Sequence, residues 1–156
     1  MTSTPLPFSL RYDLTRGDLG LAVEETLDRE SIASYTFDIL AHDGGNRTGA
    51  VRVHVIIHDV NDSPPKFDQL VYTVSNISET IPRGSILLRI HATDDDTGIN
   101  GEVSYHFVRD EPCFTVDEHT GDVRVQCPLD YETRTKYQLD IEARDKGEGF
   151  KTDFCT

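Results

Sequence analysis

Apolar and polar residues alternate along several short segments of the chain, with the period of two that is typical of β-strands with one buried face. The clearest alternating sets are Tyr35, Phe37, Ile39; Val51, Val53, Val55, Ile57; Val103, Tyr105, Phe107; and Tyr137, Leu139, Ile141. Clusters of Gly, Pro, Asp and Asn with the chemistry of turns lie between them. Short strands at regular spacing predict an all-β sandwich, with at most one helical turn within 21–31.

The chain repeats itself at an offset of 102 residues. Three segments recur at this offset, namely Leu27–Glu30 as Leu129–Glu132, Tyr35–Ile39 as Tyr137–Ile141, and Ala41–Asp43 as Ala143–Asp145. A fourth pair, in which Thr15–Asp18 recurs as Thr120–Asp122, follows at offsets of 104 to 105. Four segments in the same order indicate two copies of one structural unit.

The repeat predicts the domain boundaries. Residues 1–62 are expected to form the C-terminal part of one copy, with a linker at 59–65, and residues 66–156 a second copy. Nothing before Phe8 corresponds to 65–113, so the first copy is expected to be truncated at its front. Nothing after Thr156 corresponds to 50–62, so the second copy is expected to lack its final strand. Losing strands exposes edges and core, which predicts a marginally stable first copy.

The charge balance narrows the classes of partner. The chain carries 15 Lys plus Arg against 28 Asp plus Glu, a net charge of −13. This charge disfavours a general affinity for nucleic acid or anionic lipid and favours cations as partners. No apolar run approaches the ~18 residues of a membrane helix. The segment Met1–Arg11 lacks the basic and apolar regions of a secretory signal, so any leader and membrane anchor of the parent protein would lie outside this chain.

Many carboxylates lie in the predicted turns. They form four groups, which are Asp28 with Glu30, Asp59 with Asp62, the run 94–96, and Asp43 with Asp145. Calcium takes about six to eight oxygen ligands from carboxylates, amides and backbone carbonyls, and loops of this composition supply them. One pair alone is explained as well by turn formation and solubility. The four groups together predict a calcium site.

An EF-hand does not account for these acids. Counting from Asp94, that loop needs an oxygen donor at its fifth position and Gly at its sixth, where the chain has Gly98 and Ile99. The twelfth position is Tyr105 instead of Glu. The acids therefore belong to another kind of calcium site.

The acidic motifs resemble those of cadherin extracellular repeats, of the non-classical kind found in protocadherins, Fat and Dachsous. The run Asp59–Phe67 is similar to the family's DxNDNxPxF linker, and Ala92–Gly101 to its AxDxDxGxNG loop. Glu79 with Gly84 resembles the segment of its base glutamate. The segments Leu27–Glu30 and Leu129–Glu132 resemble LDRE and LDYE, and Ala41–Asp43 and Ala143–Asp145 resemble AxD.

The resemblance implies the fold and the function. The fold would be tandem Greek-key, immunoglobulin-like sandwiches of cadherin type. Calcium ions between repeats would stiffen an extracellular rod that mediates calcium-dependent, in many members homophilic, adhesion between cells. The expected partners are calcium, other repeats of the same rod and cadherins on adjacent cells. The expected place is the extracellular side of the plasma membrane, in a glycoprotein that crosses the membrane once.

The resemblance also implies three sets of calcium ligands. The first ion would take Asp28, Glu30 and Asp62. The second would take Glu30, Asp59, the carbonyl of Val60, Asp62 and Asp96. The third would take Asn61, the carbonyl of Ser63, Asp94, Asp96, the carbonyl of Asn100, and Asp145. Only the third set does not need the missing front of the first copy, so it is expected to bind best. Ligands of neighbouring linkers would be Asp43, Glu79, Asp130 and Glu132.

The three cysteines leave two alternatives open. Cys113 and Cys127 flank a predicted hairpin, so they could form a disulfide across it or remain as two thiols. Cys155 is expected to be a free thiol or to pair outside the chain. Neither choice fixes the redox compartment.

The remaining signals favour a binding module over an enzyme. No His lies beside a Ser or Cys in a nucleophile motif, and none has a third catalytic group evident. The chain has no Trp, so an adhesive exchange of an N-terminal Trp cannot occur within it. The sequons Asn46-Arg47-Thr48 and Asn76-Ile77-Ser78 favour secretion. The alternative is a calcium-stabilised sandwich that serves an extracellular enzyme as a substrate-binding accessory module.

Overall fold

The computed structural model describes residues 6–156 and is all-β. This range contains twelve strands and no α-helix, and no helix in it is long and apolar enough to cross a membrane. The chain divides into two compact units, the first ending at His58 and the second running from Asp59 to Thr156. The prediction of an all-β architecture is confirmed.

Two antiparallel hairpins make up the described part of the first unit. Their strands are β1 (Phe8–Asp13), β2 (Asp18–Val23), β3 (Ser34–His42) and β4 (Thr48–Ile56). Gly17 and Asn46 take the positive φ angles, 71° and 61°, that the two turns require.

This unit buries little of its apolar surface. Among its described residues only Pro7 is buried. Phe8 packs on Tyr35 and Phe37, with ring centroids 5.1 and 5.6 Å apart, while Val51 of β4 is 57% exposed. The core of the described chain lies in the second unit.

The second unit contains three small sheets. Its strands are β5 (Lys66–Phe67), β6 (Ile86–Arg89), β7 (Ala92–Thr93), β8 (Ser104–Phe107), β9 (Phe114–Val116), β10 (Asp122–Val125), β11 (Ile141–Arg144) and β12 (Thr152–Cys155). The sheet orders are β6-β10-β9, β12-β11-β8 and β5-β7. All pairings are antiparallel.

Alternate residues of these strands form one apolar core. The buried members are Phe67, Ile90, Ala92, Tyr105, Val123, Ile141, Ala143 and Cys155. Tyr105 is buried with its hydroxyl satisfied, because Oη accepts a hydrogen bond from the Ala92 amide at 2.8 Å. The alternation of Val103, Tyr105 and Phe107 therefore identified a core strand correctly.

Strand β12 corrects one prediction. It pairs with β11, Ile141 opposite Cys155, and so occupies the place of the final strand that the second copy was expected to lack. In the first unit Ala41 faces Gly49, eight residues on, whereas the matching Ala143 faces Asp153, ten residues on. This turn is two residues longer in the second unit, which shifted the strand out of the alignment with β4.

A disulfide joins Cys113 to Cys127 across the β9-β10 hairpin, with the two Cα atoms 4.7 Å apart. The Gln126 amide donates to the Cys113 carbonyl at 2.8 Å, so the hairpin already holds both cysteines opposite each other. The sequence left open whether Cys113 and Cys127 form a disulfide or remain thiols, and in the structure they form the disulfide. Cys155 is free and buried, and burial raises the pKa of its thiol to about 11.

Replacing both Cys113 and Cys127 by Ala should lower the free energy of unfolding by about 3 kcal/mol, because the bridge closes a loop of about 15 residues in the unfolded chain. Urea unfolding in calcium, with and without a mild reductant, measures this loss. Reductant should bring the wild type to the stability of the variant and leave the variant unchanged. A wild type that keeps its stability after reduction would contradict the prediction.

Candidate metal centre

Three loops of the second unit carry the acids of the predicted third site. They are the linker that starts at Asp59, the loop that follows β7 from Asp94 to Gly101, and the turn that follows β11 from Asp145. The loop after β7 is a local turn, in which the Asp94 carboxylate accepts a hydrogen bond from the Asp96 amide at 2.9 Å. The linker and the turn are brought together by longer-range hydrogen bonds.

Asp145 ties the linker to the end of β11. Its side chain is only 2% exposed. Oδ1 accepts hydrogen bonds from Asn61 Nδ2 at 2.9 Å and the Gly147 amide at 2.8 Å, and Oδ2 accepts the Lys151 amide at 2.6 Å. Since β11 belongs to the core, this carboxylate fixes the linker amide against a rigid element.

The loop after β7 holds the linker from a second direction. Asp96 is 7% exposed, and its Oδ2 accepts the Ser63 amide at 3.2 Å. Oδ2 of Asp59 accepts the Thr97 amide at 3.1 Å and Asn100 Nδ2 at 2.9 Å. The structure therefore brings together Asp59, Asn61, Ser63, Asp94, Asp96, Asn100 and Asp145.

One side-chain oxygen each of Asn61, Asp94 and Asp96 is buried without a hydrogen-bond partner among the described residues. These oxygens are Oδ1 of Asn61, Oδ2 of Asp94 and Oδ1 of Asp96. All three are acceptors, and a buried acceptor that nothing satisfies costs free energy. Carboxylate and amide oxygens are the donor set that a hard cation prefers, so the residues present fit a calcium ion.

The electrostatics of the cluster favour the same ligand. Burial, followed by the negative charges of Asp96, Asp145 and Asp95, raises the pKa of the Asp94 carboxyl above its ordinary value of 3.8. The opposite case lies in the same unit, where Asp122, 4% exposed, is paired with Arg89 at 2.6 Å and Arg124 at 2.8 Å. The hydrogen bond from Arg89 is the main cause that lowers the pKa of Asp122. A bound cation would do for Asp94 what the two arginines do for Asp122.

A glycine outside the acidic motifs, Gly147, shapes the cluster. A Cβ on Gly147 would lie 2.8 Å from Asn61 Cγ and 2.6 Å from Asn100 Oδ1, closer than nonbonded carbon atoms approach. The backbone of the turn after β11 therefore packs directly on both amide side chains. The only signal in the sequence is that the second copy places Gly147 where the first has Gly-Gly after Asp43.

Two predicted ligands sit on exposed parts of the linker. Asp62 and Val60 are both exposed, and the Val60 carbonyl accepts the Asp62 amide at 2.8 Å. The carbonyl of Val60 thus belongs to a tight turn of the linker, in which its hydrogen-bond partner is the Asp62 amide.

Asp28 and Glu30 belong to the first unit, in the loop between β2 and β3. Asp28 accepts hydrogen bonds from the Ser31 hydroxyl at 2.8 Å and the Ser31 amide at 3.1 Å, which lower the pKa of its carboxyl. Glu30 forms an ion pair with Arg29. Their assignment to the first two ions stays a prediction.

The acids assigned to neighbouring linkers differ in their surroundings. Glu79, Asp130 and Glu132 come together in the second unit, with one carboxylate oxygen of each within 4.8 Å of the others, and all three are exposed. Glu79 accepts the Tyr131 amide at 3.2 Å. Asp43 instead caps the β3-β4 turn, where it accepts the Gly45 and Arg47 amides at 2.9 and 2.8 Å.

The fold and the loop cluster define a class, a β-sandwich repeat whose loops gather oxygen ligands for a hard cation. Residues 73–156 match the family model described as the cadherin domain. This chain belongs to the cadherin family, as its acidic motifs predicted.

Curated relatives are protocadherins. Protocadherin gamma-B7 of Homo sapiens is 40% identical over 133 residues, covering 81% of this chain and 14% of the relative. Protocadherin-19 of Danio rerio is 40% identical over 144 residues, covering 85% of this chain and 13% of the relative. The chain therefore spans about a seventh of the length of these proteins.

Solved structures of protocadherin extracellular repeats have the same fold. Protocadherin Gamma C5 EC1-3 is 35% identical with a TM-score of 0.81, covering 98% of this chain and 52% of that structure. The Protocadherin GammaB4 extracellular domain is 28% identical with a TM-score of 0.87, covering 98% of this chain and 25% of that structure.

The substitution Gly147→Ala should weaken calcium binding by at least about tenfold, a loss of about 1.4 kcal/mol, because its Cβ displaces Asn61 and Asn100. Calorimetric titration with calcium measures the change. Gly44→Ala is the matched control, since a Cβ there meets nothing within 4 Å. Equal affinities for the two variants would show that the packing at Gly147 does not matter to the site.

Proposed function

We propose that this chain is a calcium-binding structural module of a protocadherin-like adhesion protein. The observation that carries the proposal is the set of three buried, unsatisfied oxygens, on Asn61, Asp94 and Asp96, in a cluster surrounded by like charges. Membership of the cadherin family and the protocadherin relatives support calcium as the ion.

The residues that would hold this ion are those of the third predicted set. Asn61, Asp94, Asp96 and Asp145 would contribute side-chain oxygens, and Ser63 and Asn100 backbone carbonyls. These six residues reach the lower end of the coordination number that calcium takes. Calcium would remove the mutual repulsion of three carboxylates and satisfy the three buried acceptors.

Binding there would order the linker. Asn61 and Ser63 follow directly on the first unit in the chain, and both already contact acids of the second unit. An ion held by these residues would restrict the segment through which the two units are joined. We propose that this restriction stiffens the rod of which 1–62 and 66–156 are consecutive parts.

The wider role follows from the family. The parent protein would be anchored in the plasma membrane with these units on its extracellular side, where ~10⁻⁴–10⁻³ M affinities are typical of calcium modules. Its partners would be cadherins in the same rod and on adjacent cells. One related structure is described as a cis-dimer of Protocadherin gammaB7 EC3-6, which supports cadherins as partners. We propose no enzymatic activity, and no observation favours the enzyme accessory module.

The variant Asp94→Asn tests the proposal, because its effect on the melting temperature should have opposite signs in chelator and in calcium. In a chelator at pH 7 it should melt at a higher temperature than the wild type, because it removes one charge from a repelling cluster. In millimolar calcium it should melt at a lower temperature, because it removes a ligand. Thermal unfolding and calorimetric titration, each with and without calcium, measure both effects.

The pH dependence in chelator has a defined sign. The folded state raises the pKa of Asp94 above 3.8, so it binds the proton more tightly than the unfolded chain does. The wild type therefore loses stability relative to Asp94→Asn as pH rises from 3.8 through the raised pKa. The difference in free energy of unfolding between the two proteins should grow over this pH range, with Asp94→Asn the more stable above it, and should not change with pH below it.

The matched control is Asp95→Asn, which makes the same charge change at an exposed neighbour outside the ligand set. It should retain calcium binding. An equal response of both variants to calcium would overturn the assignment of Asp94 and leave only a general charge effect.

Stiffening of the linker is tested separately. Spin labels on Leu14→Cys and Leu70→Cys place one probe on each unit, at side chains that are 89% and 75% exposed. Pulsed electron resonance should give a broad distribution of distances in chelator and a narrow one in calcium. The narrowing should disappear when Asp94 and Asp96 are both Asn. A distribution that calcium does not narrow would contradict the rod proposal even if calcium binds.

A further inference from the structure

We propose that the folded chain carries N-linked glycans on Asn46 and Asn76 and that Asn61, the third Asn-x-Ser/Thr site, stays unmodified. The acceptor pattern itself does not make this distinction, because Asn61-Asp62-Ser63 fits it as well as the other two do, although Pro64 follows directly. The proposal rests on the extracellular location proposed above, since the glycosylating enzymes act in the secretory pathway.

Asn46 lies at the tip of the β3-β4 hairpin. Its φ is 61°, and the residues from Ala41 to Arg52 are all exposed. Such left-handed turn positions suit Asn, and its side chain at the tip of a hairpin has open space around it. The hydroxyl that completes the sequon, Thr48 Oγ1, is also exposed and lies 2.9 Å from His42 Nδ1.

Asn76 lies in the segment between β5 and β6. Its φ is 59°, and both Asn76 and Ser78 are exposed. Ser78 Oγ is hydrogen-bonded to the neighbouring Thr80, to its Oγ1 at 2.7 Å and its amide at 3.3 Å. A large, hydrated group is accommodated there without displacing the core.

Asn61 has no such space. Its Nδ2, the atom that a sugar would occupy, donates to Asp145 Oδ1 at 2.9 Å. The backbone of Gly147 packs on the same amide so closely that even a methyl group would lie 2.8 Å from Asn61 Cγ. A glycan on Asn61 would therefore break the bond to Asp145 and force the turn after β11 away. Pro64, which follows the sequon, further fixes the backbone of this segment.

The modification is a group transfer with a defined donor. The Nδ2 amide of Asn attacks the anomeric carbon of an oligosaccharide carried on a polyprenyl diphosphate. A C–N bond forms, the bond between that carbon and the phosphate oxygen breaks, and the lipid diphosphate leaves. The amide releases one proton, and no oxidant or reductant is required.

The test is to express the full chain behind a secretory leader in animal cells. Peptide-N-glycosidase releases each glycan and converts its Asn to Asp, and peptide mass spectrometry of the secreted and retained pools locates the converted residues. Conversion should occur at Asn46 and Asn76 and not at Asn61. Thr48→Ala and Ser78→Ala should each remove one glycan, whereas Ser78→Thr should keep it.

The outcomes separate this inference from the calcium proposal. An unconverted Asn46 or Asn76, or a converted Asn61 in calcium-responsive protein, overturns the assignment. The same glycosidase-treated sample is then melted with and without calcium. If mass spectrometry finds no converted Asn and calcium still stabilises the chain, only the glycan assignment is overturned. If Asn46 and Asn76 had carried glycans and calcium does not stabilise the chain, only the calcium proposal is overturned.

Discussion

The arrangement of the loops depends on the burial of Asp145 at the end of β11. This carboxylate is only 2% exposed, so each of its oxygens needs donors, and it takes them from the linker amide of Asn61 and from its own turn. The other members of the cluster are joined to the same linker. Once Asn61 is fixed, Ser63 comes within reach of Asp96, and Asp59 reaches the loop at Thr97 and Asn100.

The same unit treats its buried acids in two ways. Asp122 is neutralised by two arginines that the chain itself provides. Asp94 instead lies near other carboxylates, whose charges help to raise its pKa, and in the proposed function a bound calcium ion would compensate them. The charges around an acid therefore distinguish Asp122 from the proposed ligands more clearly than burial does, since Asp94, Asp96 and Asp122 are all partly or fully buried. Under the proposed function, the stability of the linker would therefore depend on the calcium concentration of the surrounding medium.

Much of the fold was predictable from local pattern. Alternation at Tyr105 and Phe107 located a core strand because a half-buried strand imposes a period of two on its sequence. The final strand β12 was missed because Thr152–Cys155 shows little alternation and its turn is two residues longer than in the first copy. The acidic motifs pointed to residues that the structure brings together around the linker, and their role as calcium ligands stays a prediction. Gly147 was not predicted, because its role depends on two side chains from other loops, and sequence spacing carries no information on such contacts. The disulfide was left open for the same reason, since pairing is decided by register across the hairpin.

The last strand carries its own chemical reporter. Cys155 is a free thiol on β12, 4% exposed, with its pKa raised to about 11, so about one molecule in a thousand holds a thiolate at pH 8. A thiol in this state reacts only when its strand leaves β11. The rate of its alkylation therefore counts the local openings of the β11-β12 ladder directly, without any label being introduced. The thiol of Cys155 thus makes the opening rate of the edge strand β12 directly measurable.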